Sequence, residues 1–361
     1  MKTSKPSVSA QVVQHLSPGG IETLVLDLMR HSKHKTLVFS LEGTREQAME
    51  KWPVLKPFAD RLVFLNKQPG FQPRVIKALI RLFSWHKITS VHTHHIGPLL
   101  YGGLASRFCG IKSLIHTEHD AWHLADKKRR FLQKCLISCL KPSWVADAQA
   151  VAEKVSDYLK TSKVKVITNG IDIDKFVPGD RLKARRQFNL PANVSLIGCA
   201  ARLEPVKGQD ILIKALGCLP PCYHLAIAGD GSTKNALKHQ VRQAGLGARV
   251  HFLGVVDDMP SFYQALDVFC LPSRFEGMPL SPLEAQACNI PSVITNVGGS
   301  SEVVCQQSSV LVPPEKPFCI AEAILNLSVV SYRQNPRAFV QQQGNIKDTV
   351  LAYDRLASES G

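Results

Sequence analysis

The run at positions 194–208, VSLIGCAARLEPVKG, divides into two parts. Its first seven residues form a short apolar stretch, the pattern of a strand buried on both faces, as in a parallel sheet. The next eight set an arginine, a glutamate and a lysine around a proline and end on glycine, which reads as a loop. A buried parallel strand that delivers charged side chains to the loop at its end is the working unit of α/β folds. In such folds ligands bind beyond the carboxyl ends of the strands.

The same alternation runs outward in both directions. In the first half, short β-branched runs predict strands at 8–14, 36–41, 62–65, 90–94, 113–117 and 143–146, with helices at 22–30, 73–85, 98–108, 129–140 and 150–159. A second series follows, with strands at 163–168, 194–200, 224–228, 250–253, 268–271, 292–295 and 310–312. The turn signal Asn169-Gly170-Ile171-Asp172 follows the run 163–168 near the middle of the chain, and the domain junction is expected around it. The expected architecture is α/β, with two Rossmann-like doubly wound domains, 1–165 and 166–332, facing across a cleft. A polar, helix-compatible tail at 333–361 is expected to pack back onto the first domain.

At 361 residues and 45% hydrophobic content the chain can bury two cores. Its charge of +15 is unevenly placed: residues 1–165 hold 26 Lys and Arg against 12 Asp and Glu, and the remainder 18 against 17. Such asymmetry suggests an acidic partner for the first half, whether a lipid diphosphate, an anionic membrane or a nucleic acid. Ten cysteines without a CxxC pair predict buried, reduced thiols, and the closed metal-ligand spacings are absent. No run of 18 apolar residues occurs, and positions 1–20 lack a long apolar signal region, so the expected location is the cytosol.

Chemistry is then sought in the loops after strands. Arg202 and Lys207 sit on one such loop and can clamp a diphosphate, the guanidinium as a fork and the ammonium as a point charge. Gly19 and Gly20 open a helix after the first strand, where backbone can approach a phosphate closely, although a tight turn explains two glycines equally well. Gly229-Asp230-Gly231 begins like a dinucleotide fingerprint, but Lys234 stands in the third glycine's place. His116-Thr117-Glu118-His119-Asp120 ends one strand, and His92, His94 and His95 cluster one strand earlier; packed polar residues and zinc ligands are both open readings. Asp172-Ile173-Asp174 follows an Asn-Gly turn, so a turn role outweighs a metal role.

Positions 275–284, FEGMPLSPLE, set Glu276 on a loop and Glu284 in a first helical turn, because the prolines bar an earlier helix start. Ser281-Pro282-Leu283-Glu284 also fits a capping box, which would explain Glu284 but not Glu276. A loop carboxylate ahead of a helix N-terminus flanks a phosphate site and accepts hydrogen bonds from hydroxyls. Phosphate together with hydroxyls points to a nucleotide sugar.

These motifs resemble a known family. RLEPVKG at 202–208, NGIDIDKF at 169–176 and SRFEGMPLSPLEAQACNIPSVITNVGGSSEVV at 273–304 are similar to the retaining GT-B glycosyltransferases of "group 1", whose Glu-x7-Glu signature matches Glu276 and Glu284. The resemblance implies an acceptor-binding first domain and a second domain that binds the nucleotide sugar. It implies that Arg202 and Lys207 neutralise the donor diphosphate and that Glu284 holds the ribose hydroxyls. Glu276 would hold sugar hydroxyls, and the amides of Gly277, Met278, Pro279 and Leu280 would line the sugar and distal phosphate. Gly19 and Gly20 would close over the phosphates, while His119 would contact the transferring sugar. Glu276 and His119 are thus the catalytic candidates. No cofactor and no metal is implied, the nucleotide sugar being a co-substrate. Asn289 departs from the family's glycine, a change compatible with a left-handed helix cap.

The reading is therefore a retaining hexosyltransferase that uses a UDP-sugar, or alternatively a GDP-sugar. Its acceptor would be a glycan or a lipid-linked molecule of cell-surface polysaccharide or lipopolysaccharide synthesis. The basic helix candidate 73–85 and Lys127-Lys128-Arg129-Arg130 suggest peripheral attachment to the inner face of an anionic cytoplasmic membrane. Two other classes compete: a nucleotide-sugar epimerase or hydrolase of the same fold, and a basic nucleic-acid-binding protein. The latter leaves Arg202, Lys207, Glu276 and Glu284 without purpose.

Overall fold

Both strand series form wholly parallel sheets in a computed structural model that describes residues 7–161, 163–329 and 335–359. The first sheet comprises β1 (Val8–Val13), β2 (Lys35–Ser40), β3 (Leu62–Phe64), β4 (Ser90–His94), β5 (Ser113–Glu118), β6 (Ser143–Ala146) and β7 (Lys165–Val166), in the order 3-2-1-4-5-6-7. The second comprises β8 (Ser195–Ala200), β9 (Tyr223–Ala228), β10 (Val250–Gly254), β11 (Val268–Leu271), β12 (Ser292–Thr295) and β13 (Val310–Val312), in the order 10-9-8-11-12-13. Each order steps outward from a central pair, β1 with β4 and β8 with β11. That is the doubly wound, Rossmann-like arrangement, and the strand order reverses at the central pair.

The chain divides into two compact units, one of Met1–Asn169 with Ile346–Gly361 and one of Gly170–Asn345. The tail is shared: the helix Pro336–Gln343 lies in the second unit and the helix Ile346–Glu359 in the first. Positions 333, 334, 360 and 361 of the expected tail fall outside the described residues. Arg337 fixes the first of these helices by donating to the carbonyls of Phe176 at 2.6 Å, Ala287 at 2.7 Å and Ile173 at 3.0 Å.

The core of the second unit is built as its strand pattern requires. Ile197, Leu225, Ile227, Val268 and Val293 from the sheet meet Ile211, Leu212 and Leu216 of the helix Gln209–Gly217. Burial of each such side chain contributes about 1.5–3 kcal/mol. In the first unit the helix Pro73–Trp85 packs Val75, Leu79 and Phe83 against the sheet, leaving Arg74, Lys77 and Arg81 exposed.

Four expectations change. The run 163–168, expected to open the second series, instead closes the first sheet: Lys165–Val166 pairs with Val145 and Ala146 of β6. Alternation predicts a strand but not its partner, and both residues are exposed at a sheet edge. The helix predicted at 98–108 is interrupted by a π-helical turn, Leu99–Gly103, between the α-helical turn Ile96–Pro98 and regular helix from Leu104 to Phe108. A π turn accommodates an extra residue, and Gly102 lets it lie against Val12 and Thr93. No disulfide forms among the described residues, but the thiols are not all buried: Cys135, Cys139, Cys218 and Cys222 are exposed. The helix Arg45–Lys51 has no counterpart among the predicted ones; at seven residues, about two turns, it is too short for periodicity to register.

Candidate functional site

In the second unit the loops after β8 and β11 leave the sheet on either side of its switch point, where doubly wound folds hold ligands. They carry Arg202 and Lys207 on one side and Glu276 on the other. Lys207 Nζ lies 2.7 and 2.9 Å from the two oxygens of Glu276, and Ser273 Oγ donates to Glu276 Oε1 at 2.6 Å. Glu276 is 7% exposed, so its charge rests on these donors, whereas Arg202 projects into solvent.

Two glycines make this approach possible. Gly208 ends the first loop at φ 67°, and a Cβ there would stand 2.1 Å from the Pro272 carbonyl oxygen. Gly298, at φ 55°, packs against the Glu276 carbonyl so closely that a Cβ would fall 1.8 Å from its oxygen. Only glycine takes this backbone region without strain, and in both places the obstacle is backbone that cannot swing aside. Arg274 completes the frame. Its amide donates to the Val206 carbonyl at 2.8 Å, and its guanidinium grips Asp210 through two 2.8 Å bonds. That pairing pushes the guanidinium pKa up, so Arg274 stays charged.

The helix after Glu276 does not start as the capping-box reading expected. It spans Ser281–Ala287 with Leu280 as the N-cap, and no side chain caps it. Ser281 is one residue too far inside to serve, and the Glu284 amide already bonds the Leu280 carbonyl at 3.0 Å. The Glu284 carboxylate turns instead to Tyr263, whose hydroxyl donates to Oε2 at 2.6 Å. Burial and the adjacent carboxylate raise the Tyr263 pKa well above its usual value, so the phenol remains a donor. Asn289 takes the left-handed conformation expected of it, at φ 67°. Gly277 accepts from the Gly299 amide at 2.8 Å, tying the loop Gly277–Leu280 to the chain after β12.

In the first unit, Gly19 is the N-cap of the helix Gly20–His31. The Glu22 carboxylate folds back over it, since a Cβ on Gly19 would meet Glu22 Oε2 at 2.3 Å. His119 follows β5 and is 5% exposed. Both its ring nitrogens are engaged: Nε2 is 2.9 Å from His94 Nδ1, and Nδ1 is 2.9 Å from Asp147 Oδ2. The chain of contacts extends from His94 Nε2 to Gln11 Oε1 at 2.8 Å, and from Asp147 Oδ2 to Asn169 Nδ2 at 2.9 Å. Burial, reinforced by His92, drives the His94 pKa well below the normal range, so His94 is neutral; burial raises that of Asp147. His116 belongs to a separate buried group, 2.9 Å from Glu118 Oε1, which also accepts from Gln133.

Thus Arg202, Lys207, Glu276, Gly277–Leu280 and Glu284 share one unit, as Gly19, Gly20 and His119 share the other. Asp172 Oδ1 accepts from the amides of Asp174 at 3.0 Å and Lys175 at 3.1 Å, the turn expected of it. Sequence reasoning passed over Ser273, Tyr263, Asp147 and Gln11. Asp147 alone had a signal, a carboxylate following a buried strand; Tyr263 reads as an ordinary core aromatic.

The profile of "Glycosyl transferases group 1" matches residues 180–337, and that of "Glycosyltransferase Family 4" matches residues 18–175. An Escherichia coli UDP-Gal:alpha-D-GlcNAc-diphosphoundecaprenol alpha-1,3-galactosyltransferase is 31% identical over 249 residues, 63% of this chain and 62% of the relative, so the match spans less than two thirds of that protein. The O-antigen biosynthesis glycosyltransferase WclY of Escherichia coli is 27% identical over 358 residues, 92% of this chain and 91% of its own. Among solved structures, Anabaena Alr3699/HepE in complex with UDP superposes with a TM-score of 0.83 at 23% identity, covering 98% of this chain and 100% of that one. The likeness is one of fold: two Rossmann-like α/β domains of GT-B type.

Proposed function

The chain belongs to the group 1 glycosyltransferases, and from that premise we propose a retaining, metal-independent hexosyltransferase that draws on a nucleotide diphosphate sugar. The observation that carries this reading is the convergence of Arg202, Lys207, Glu276 and the Tyr263-anchored Glu284 on the switch-point loops of the second sheet. Arg202 and Lys207 neutralise the diphosphate, and as Lys207 turns to phosphate, Glu276 is released to accept from sugar hydroxyls. The backbone of Gly277–Leu280 lines the sugar and distal phosphate, its N–H donors being those of Gly277, Met278 and Leu280, and Glu284 accepts from the ribose. His119 contacts a sugar hydroxyl, trading its bond to His94 for one to substrate, and the amides at Gly19 and Gly20 meet phosphate.

A UDP-sugar is the favoured donor, in keeping with the UDP-Gal named for the galactosyltransferase relative. The acceptor is a glycan or lipid-linked molecule of cell-surface polysaccharide or lipopolysaccharide synthesis, reached from the cytoplasmic face. No described helix is long and apolar enough to cross a membrane. The exposed Arg74, Lys77 and Arg81 lie on the helix that ends in Trp85, 81% exposed, and Phe108 on another helix is 74% exposed. Basic side chains with projecting aromatics suit peripheral contact with anionic lipid. Sedimentation with anionic and neutral liposomes tests that part, and equal non-binding to both rejects it.

The central test is a thermal-shift screen of UDP-, GDP- and ADP-sugars on the wild type and Lys207→Ala. Stabilisation by one donor that disappears in the variant supports the reading, and no response to any donor rejects it. Donor turnover without acceptor would instead favour the epimerase or hydrolase alternative.

A further inference from the structure

A parallel sheet covered on both faces is ordinarily apolar, because a buried hydroxyl costs free energy unless it is hydrogen-bonded. One face of the first sheet breaks that rule. Thr36 of β2, Ser9 of β1, Ser90 of β4 and Ser113 of β5 are register neighbours, a row of hydroxyls across four strands near their amino ends. Ser9 Oγ and Thr36 Oγ1 are 2.8 Å apart, and Ser90 Oγ and Ser113 Oγ 2.9 Å. Side chains two residues further along share the face, which adds Gln11 and His92.

The helix Ile346–Glu359 covers this row without filling the space above it. A cavity of about 210 Å³ remains, bordered by Tyr353 and Asp354 of that helix. Asp354 Oδ1 accepts from Ser32 Oγ at 3.1 Å, but Oδ2 is buried with no hydrogen-bond partner among the described residues. The lining holds one carboxylate and no lysine or arginine, which disfavours anions. The rings of His92 and Tyr353, 4.6 Å apart and tilted by 39°, together with Leu28, Ile115 and Val350, supply apolar surface.

We propose that this cavity binds a small neutral polyol, at the end of the sheet opposite His119. Hydroxyls that both donate and accept, an acceptor lacking its donor, flat apolar faces and the lack of lysine or arginine together match a hydroxylated carbon chain. At ~30 Å³ per water the space equals about seven waters, enough for a chain of about three to six carbons. The inference is independent of sugar transfer and of the second unit.

The test is a nuclear magnetic resonance titration of the full chain with glycerol, sorbitol and glucose, read at the backbone amides of Ser9, Ser90 and Ser113. Saturable shifts are expected with at least one of these polyols, unchanged by saturating UDP. The double variant Ser90→Val with Ser113→Val removes both members of a bonded pair, which spares the fold, and should weaken binding roughly tenfold. Absence of saturable shifts with all three probes overturns the proposal, as does equal affinity in the folded double variant. Inorganic phosphate should leave these amides unmoved, and saturable shifts from it would overturn the polyol class.

Discussion

The two sheets share a strand order but not an interior. In the second, Ile197, Leu225, Ile227 and Val293 are apolar and the chemistry is confined to loops at the strand ends. In the first, polarity enters the strands themselves: Gln11, His92, His94, His116 and Glu118 are all buried within them. The second unit therefore keeps its candidate site residues apart from its apolar core, while the first buries its candidate His119 among the polar residues of its strands. A change in an end loop of the second unit should alter ligand binding ahead of folding, whereas a change of polar state in the first should be felt by the fold. All four tryptophans, Trp52, Trp85, Trp122 and Trp144, lie in the first unit, so their fluorescence reports on that unit alone.

The largest effect should follow a violation of that rule inside the second unit. Gly298→Val forces a β-branched residue to φ 55° against the Glu276 carbonyl, at a cost of about 3 kcal/mol or more. Calorimetry should show the second unit melting earlier and donor stabilisation lost, with the tryptophan transition unmoved. A tryptophan transition that falls equally would break the comparison.

Acid should act on the first unit. His92 and His94 are held neutral because burial lowers their folded pKa well below 6.5. Below that value the unfolded chain binds protons that the folded one refuses, so stability must fall as pH drops through the unfolded pKa. With ~1.36 kcal/mol per histidine per pH unit, these two contribute a slope of about 2.7 kcal/mol per pH unit, and His95, which burial lowers to about 4, adds to it in the same direction. His123 works the other way. Its pKa is raised by Asp120 and Glu118 against the opposing effect of burial, so its contribution is complete below 6.5 and adds no slope there. Urea midpoints followed by tryptophan fluorescence between neutrality and pH 5 should show the decline, and a flat profile would remove the contrast between the units.

Asp147→Ala leaves the His119 and Asn169 side chains without their shared acceptor, and should cost the first unit about 2 kcal/mol. An unchanged fluorescence midpoint would make the network incidental to stability. Smallest is Tyr263→Phe, which removes the donor to Glu284; UDP affinity should fall roughly tenfold, about 1.4 kcal/mol, by calorimetric titration. Discrimination against 2′-deoxy-UDP should shrink with it, while the melting temperature of the second unit moves little. The reverse pattern would make Tyr263 a packing residue only.

The same contrast explains what could be read in advance. The strands of the second unit follow from apolar runs, and 268–271, 292–295 and 310–312 match the observed bounds. Arg202, Lys207, Glu276 and Glu284 could be picked out because charged residues after apolar strands are conspicuous. Tyr263 could not, since its partner lies 21 positions away and no local rule links them. In the first unit the histidines were visible but their arrangement was not. Whether His119 faces solvent or joins Gln11, His94, Asp147 and Asn169 depends on neighbours from four separate segments, and periodicity carries no such information. The capping box failed for a related reason: a shift of one residue in the helix start is beyond what a proline pattern resolves.

The Lys207–Glu276 pair also bears on what the second unit ignores. A bare lysine and arginine at a loop would concentrate any small anion, orthophosphate among them. Here the ammonium is already satisfied by a carboxylate, so an ion that offers charge alone must displace Glu276 and strand it, 7% exposed, with little beyond Ser273 for company. A nucleotide sugar brings phosphate for one partner and hydroxyls for the other. Under the proposed function the pair would act as a filter at Lys207, favouring a ligand that carries both groups over a salt that carries only one.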